Sequence, residues 1–179
     1  MTEKQQALLQ SAQTLIAAHG FSAVSTAKIA VHAGVSEALI FRHFKSKKGL
    51  ASAVLSAGAR ARASLIYGRL NDADPVEVLR SFTSIDLNVS TNHTEVLAWV
   101  AMIRTTQENP ESRMLDAFVL ERLRWAVSSV GHGADEAVAC VAIEILERSL
   151  LLAFREDEVR ASELMRGLRE LLINEGVLT

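Results

Sequence analysis

The chemistry that stands out in this chain of 179 residues lies between residues 28 and 47, in Lys28, Glu37, Ala38, Phe41, Arg42, His43 and Lys47. Lysine and arginine pair with phosphate oxygens, arginine also donates to base edges, and small or aromatic apolar groups touch a thymine methyl. A surface of these types, with Lys45 beside them, suits a major groove and its flanking phosphates. An enzyme has little support from the same sequence. No paired-histidine metal motif, glycine-rich phosphate loop or nucleophile elbow occurs, and no cofactor is expected. Cys140 lies in the apolar run 138–142 and reads as a small buried residue. A single cysteine makes neither an internal disulfide nor a thiolate cage, so a reducing compartment is expected.

The elements that must position those residues are short. Residues 26–48 read TAKIAVHAGVSEALIFRHFKSKK. Thr26 is placed to cap a helix running to Ala33, Gly34 stops it, and Ser36 opens a second helix from Glu37 to Phe44. Ile29, Ala30, Ala33, Val35, Ile40 and Phe44 supply the apolar positions that clamp the two together, with Gly34 giving the turn its backbone freedom. This is helix-turn-helix spacing, and physically it also fits an ordinary helical hairpin in an all-α protein.

Charge is unevenly spread. The total is −2, which by itself argues against a nucleic-acid partner. Residues 1–50, however, carry six lysines and arginines against two acids, a net of +4, and the remainder carries thirteen arginines against nineteen acids, a net of −6. All five lysines precede residue 49. The lead segment and the body thus face different partners.

From Gln5 to Leu50 the sequence resembles the N-terminal region of the tetracycline-repressor (TetR) family of transcriptional regulators. The resemblance rests on GF at 20–21, ST at 25–26, IA at 29–30, AGVS at 33–36, IFRHF at 40–44, SK at 46–47 and Leu50. It implies an all-α protein of about nine helices, with a three-helix DNA-binding domain over 1–48 and a helical ligand-binding and dimerisation domain over 49–179. It implies a homodimeric, cytoplasmic repressor that binds a near-palindromic site on double-stranded DNA and is released by a small-molecule effector, with no membrane partner. Carried over position by position, Glu37 accepts from a cytosine amine, Ala38 and Phe41 touch a thymine methyl, and Arg42 donates to guanine or phosphate. His43 and Lys47 fall at phosphate-contacting positions, joined by backbone N–H groups at the start of the helix that follows, and Lys28 is a phosphate or base-edge contact. Two positions depart from the family's pattern: Phe41 stands where tyrosine is common, and Leu39 where threonine is common. They motivate an alternative, a helical interaction protein that binds another regulator rather than DNA.

The rest of the chain is read from periodicity. Alanine (26) and leucine (23) are abundant and favour helix. Helices are expected over 2–19, 47–70, 94–107, 110–130, 134–154 and 159–174, with a further one opening at Pro75 behind Asp74 and continuing toward Val89. Candidate ligand-binding residues are Phe82, Asp86, Trp99, Met102, Phe118 and Trp125. Two apolar stripes near the C-terminus, Val141, Ile145, Ser149 and Leu152 with Leu164, Leu168 and Leu171, would make a four-helix dimer interface under the resemblance.

Overall fold

The computed structural model describes residues 1–85, 93–112, 116–131 and 135–174, and all side chains among them except those of 93, 173 and 174. The described residues form nine α-helices and no strand: α1 (Glu3–His19), α2 (Thr26–His32), α3 (Ala38–Phe44), α4 (Lys47–Ile66), α5 (Pro75–Thr83), α6 (His93–Glu108), α7 (Ala117–Ser129), α8 (Asp135–Phe154) and α9 (Glu158–Asn174). Short 3-10 turns follow α4 at Tyr67–Leu70 and α6 at Pro110–Ser112. The described residues adopt the all-helical class expected from the sequence.

Helix ends follow local chemistry. Thr2 Oγ1 accepts from Gln5 N–H at 3.2 Å and opens α1, while Asp74 Oδ1 accepts from Val76 N–H at 2.9 Å in front of Pro75, satisfying donors left free in a first turn. The cap of α2 corrects the sequence reading by one residue. Ser25 Oγ accepts from Lys28 N–H at 3.2 Å, and Thr26, already inside the helix, is free to bond elsewhere. Likewise α3 begins at Ala38, with Glu37 in helical conformation just ahead of it.

Two expected helices are shorter than their periodicity. α5 stops at Thr83, where Ser84 and Ile85 turn back through bonds to Ser81 O and Phe82 O, and the expected continuation over 86–89 lies outside the described residues. Among the described residues Pro110 opens a 3-10 turn, and α7 begins at Ala117 because Asp116 Oδ1 caps it through Val119 N–H at 3.2 Å.

The chain divides into two units. The first comprises residues 1–62 and 92–113. Leu8, Ala12 and Ile16 of α1, Ile29 of α2, Ile40 of α3, Leu50 and Val54 of α4, and Val96, Val100 and Ile103 of α6 are buried there. Each buried Leu or Ile is worth about 1.5–3 kcal/mol relative to exposure. Hence α1, the shared partner of α2, α3 and α6, is the spine on which the short helices sit. The second unit comprises 63–91 and 114–179. In it α8 packs on α7 and α9, and α5 packs on α7 and α9, around buried Val78, Phe82, Leu123, Val127, Leu146 and Leu150. Among the described residues no helix is long and apolar enough to cross a membrane.

Candidate nucleic-acid interface

The two short helices present one face inward and one outward. Ile29, Ala30, Ile40 and Phe44 are buried, whereas Ala33 and Val35, also expected to clamp the pair, are half-buried. Gly34 makes the turn at φ +66°, a left-handed conformation that costs an L side chain energy. The turn is fastened by side chains as well: Thr26 Oγ1 donates to Glu37 Oε1 at 2.6 Å, joining the start of α2 to the start of α3. His32 Nδ1 lies 3.0 Å from Ser11 Oγ and ties α2 to α1.

On the outer face Ala38 and Arg42 are exposed and Phe41 is 48% exposed. Leu39 is half-buried, so this departure from the family's pattern turns toward the domain. His43 is half-buried with its ring edge-on to Phe44, centroids 6.4 Å apart. Glu37 is exposed with one carboxylate oxygen already accepting from Thr26. Lys28 is exposed, its Nζ 3.5 Å from Ala23 O. At the start of α4, Ser46 Oγ accepts from Gly49 N–H at 3.0 Å, which uses one of the backbone donors expected for phosphate.

Lys47 is engaged within the protein. Its Nζ donates to Phe21 O at 3.1 Å and stands 4.6 Å above the Phe21 ring centroid, leaving the ammonium's other donors for an outside acceptor. The same turn is gripped by Glu108, the last residue of α6: Phe21 N–H donates to Oε1 at 2.9 Å and Ser22 N–H to Oε2 at 2.6 Å. Partial desolvation raises the Glu108 carboxyl pKa. The hydrogen bonds from Ser22 and Phe21 and the charge of Lys47 outweigh that and hold it below its ordinary value of 4.5. Sequence reasoning missed this residue, because its partners lie 86 and 87 positions away and no local pattern connects them.

The candidate ligand residues fall in both units. In the first, Trp99 is buried with its indole N–H unpaired, and Met102 is buried where Gly58 of α4 comes close. In the second, Phe82 is buried in the core, Phe118 packs on Tyr67 with ring centroids 4.5 Å apart, and Trp125 is 37% exposed under the Arg122 guanidinium. Asp86 lies outside the described residues. Trp125 lines a recess of about 320 Å³ with Glu121, Arg124 and Asp135. A larger recess of about 540 Å³, lined by Ile85, Ala153, Ala161, Met165, Arg166 and Arg169 among others, holds none of the sequence candidates. Among the described residues no group of three or more His, Cys, Asp or Glu side chains could hold a metal ion.

The candidate dimer residues separate by exposure. Val141, Leu164 and Leu171 face outward, at 54%, 36% and 58%. Ile145 and Leu152 are half-buried. Ser149 and Leu168 are buried within the subunit, Ser149 bonding back to Ile145 O at 2.8 Å. These two lie on the face where α8 and α9 meet their own neighbours, so they brace the outer surface rather than form it.

With this geometry established, comparison with known proteins is informative. Residues 8–54, running from α1 into α4, match the family described as bacterial regulatory proteins, tetR family. An uncharacterised HTH-type transcriptional regulator of Bacillus subtilis (strain 168), YvkB, is 44% identical over 59 residues, a match spanning 33% of this chain and 31% of that protein. The chain therefore covers about a third of the length of that curated relative. At the level of fold, a TetR-family regulator structure from Rhodococcus sp. superposes with a TM-score of 0.73 at 20% identity, covering 96% of this chain and 99% of that one. AibR, solved with isovaleryl coenzyme A and operator DNA, superposes at 0.69 with 16% identity over 94% and 97% of the two chains. The helix-turn-helix segment is thus similar to the tetR family of bacterial regulatory proteins, and the helical fold is shared along nearly the whole length with these solved structures.

Proposed function

We propose that this protein is a ligand-responsive, DNA-binding transcriptional regulator acting as a homodimeric repressor. Residues 1–48 read DNA, and residues 49–179 receive the effector and dimerise. The observation that carries the reading is the outer face of α3, where exposed Ala38, Phe41 and Arg42 stand together in a lead segment of net charge +4. Arg42 and Phe41 meet base edges, Glu37 and Ala38 contribute from the first turn, and Lys28, His43 and Lys47 contact the flanking backbone. AibR's complex with isovaleryl coenzyme A and operator DNA supports assigning both a small molecule and DNA to one chain of this fold. For the effector, buried Trp99 offers an indole donor without a partner, an arrangement that favours a ligand presenting an acceptor. Phe82, Asp86, Met102, Phe118 and Trp125 are the other candidates. Val141, Leu164 and Leu171 form the centre of the proposed dimer face, with Ile145 and Leu152 at its edge. Two identical readers about one turn of duplex apart require a near-palindromic site. Selection of bound duplexes from a random pool tests the reading: enrichment of a near-palindrome supports it. No enrichment, together with capture of a second regulator, favours a helical interaction protein instead.

A further inference from the structure

The turn between α1 and α2 is held from two sides by residues distant in sequence. Glu108, at the end of α6, takes the backbone N–H of Phe21 at 2.9 Å and of Ser22 at 2.6 Å. Lys47, at the start of α4, donates to the Phe21 carbonyl at 3.1 Å and covers the Phe21 ring. Gly20 makes room for this arrangement. At φ +88° it ends α1, and a Cβ there would come within 2.5 Å of Glu108 Oε1, so a larger residue would push the carboxylate off the amides. The turn leads directly into Ser25, which caps α2, and α2 carries Lys28.

We propose that Glu108 is a positioning residue for DNA binding: its carboxylate, seated on the Phe21 and Ser22 amides, sets the turn that orients Lys47 at the start of α4 and Lys28 within α2. This rests on the DNA-binding reading above. Electrostatics makes the sign of its test informative. A bystander acid in a DNA-binding unit repels phosphate, so removing its charge raises affinity. A positioning acid does the reverse, because two charge-assisted hydrogen bonds that fix the turn are weakened. The carboxyl's pKa, held below its ordinary value by the hydrogen bonds and Lys47 despite desolvation, keeps it ionised at neutral pH.

The experiment uses the full chain and a duplex from its own upstream region, with affinity read by fluorescence anisotropy at fixed salt and the Phe21 and Ser22 amide resonances read by NMR. Glu108→Gln is expected to bind about tenfold more weakly, the loss of a charge-assisted hydrogen bond expressed as affinity, and to move both amide resonances. Gln107→Ala, at the exposed neighbouring position, is expected to leave both readings unchanged. In the Lys47→Met background the Glu108→Gln effect is expected to shrink, because coupled residues are not additive. Equal or tighter binding by Glu108→Gln, full additivity with Lys47→Met, or weaker binding without movement of the two amides would each overturn the positioning role. Wild-type protein that binds no fragment would overturn the regulator reading itself, and that is seen before any variant is made.

Discussion

At the scale of single residues the outer face of α3 divides its contributions. Arg42 is exposed and carries a planar fork of donors, so Arg42→Ala is expected to cost about 1–3 kcal/mol of operator affinity and to relax preference at one base pair, as measured against single-base variants of the site. Lys47, a proposed phosphate contact, also holds Phe21. Lys47→Ala is therefore expected to weaken binding to all sequences alike and to reduce the salt slope by about one unit per subunit contact. Glu108 links a residue to stability. Its carboxyl pKa is lowered in the folded protein, so its contribution is present above the unfolded value and lost as pH falls through the folded one. The melting temperature of wild type should exceed that of Glu108→Gln at pH 7, and the difference should vanish in acid. The outward residues of α3 were legible because helical spacing and residue type together define a face. Ser25 and Thr26 were not separable, since either hydroxyl can cap and only the backbone decides which does. Glu108 was illegible for a different reason: a carboxylate at the end of one helix carries no sign of the turn it will grip.

At the scale of elements, sequence period located helices and local chemistry decided their ends. Asp74–Pro75 opened α5 as expected, but the period set by Val78, Phe82 and Ile85 runs past the end of the helix at Thr83. Ile85 is buried beyond its last turn, so an apolar residue in register with a helix need not lie in it. The helix expected from Pro110 gives way to α7 from Ala117, where extended Asp116 caps the first turn. Arg122 shows how one helix fixes a neighbouring turn: its Nε donates to Leu70 O at 2.7 Å, its Nη2 to Asp72 O at 2.6 Å, and its guanidinium lies over Trp125 at 4.2 Å. A charge-assisted bond to the carbonyl of buried Leu70 is worth about 1.5–3 kcal/mol, whereas the carbonyl of exposed Asp72 regains water. Arg122→Ala is expected to destabilise the protein by about 2 kcal/mol in chemical denaturation and to shift Trp125 emission, because the ring loses its cover.

At the scale of the whole molecule, net charge was the wrong measure and its distribution the right one. A total of −2 conceals +4 over residues 1–50 and −6 over the rest. Under the proposed function, the charge of the lead segment attracts phosphate and that of the remainder does not. The proposed dimer face makes a separate prediction. Leu171, 58% exposed on α9, is expected to tolerate glutamate within the subunit, yet Leu171→Glu should shift the protein toward monomer in sedimentation and lower affinity for a two-half-site duplex. The stripes on α8 and α9 were visible as apolar periodicity. Which of their residues face outward was not, because a helix packed on two sides presents apolar residues to both. The central claim, that residues 1–48 read duplex DNA, is tested most directly by titrating the full-length protein onto its upstream duplex across a range of salt. The account predicts that log affinity falls steeply and linearly with log salt, by about 0.9 per phosphate contact, and that the slope is shallower for Lys47→Ala. Binding that ignores salt, or no binding to any duplex at low salt, would contradict it.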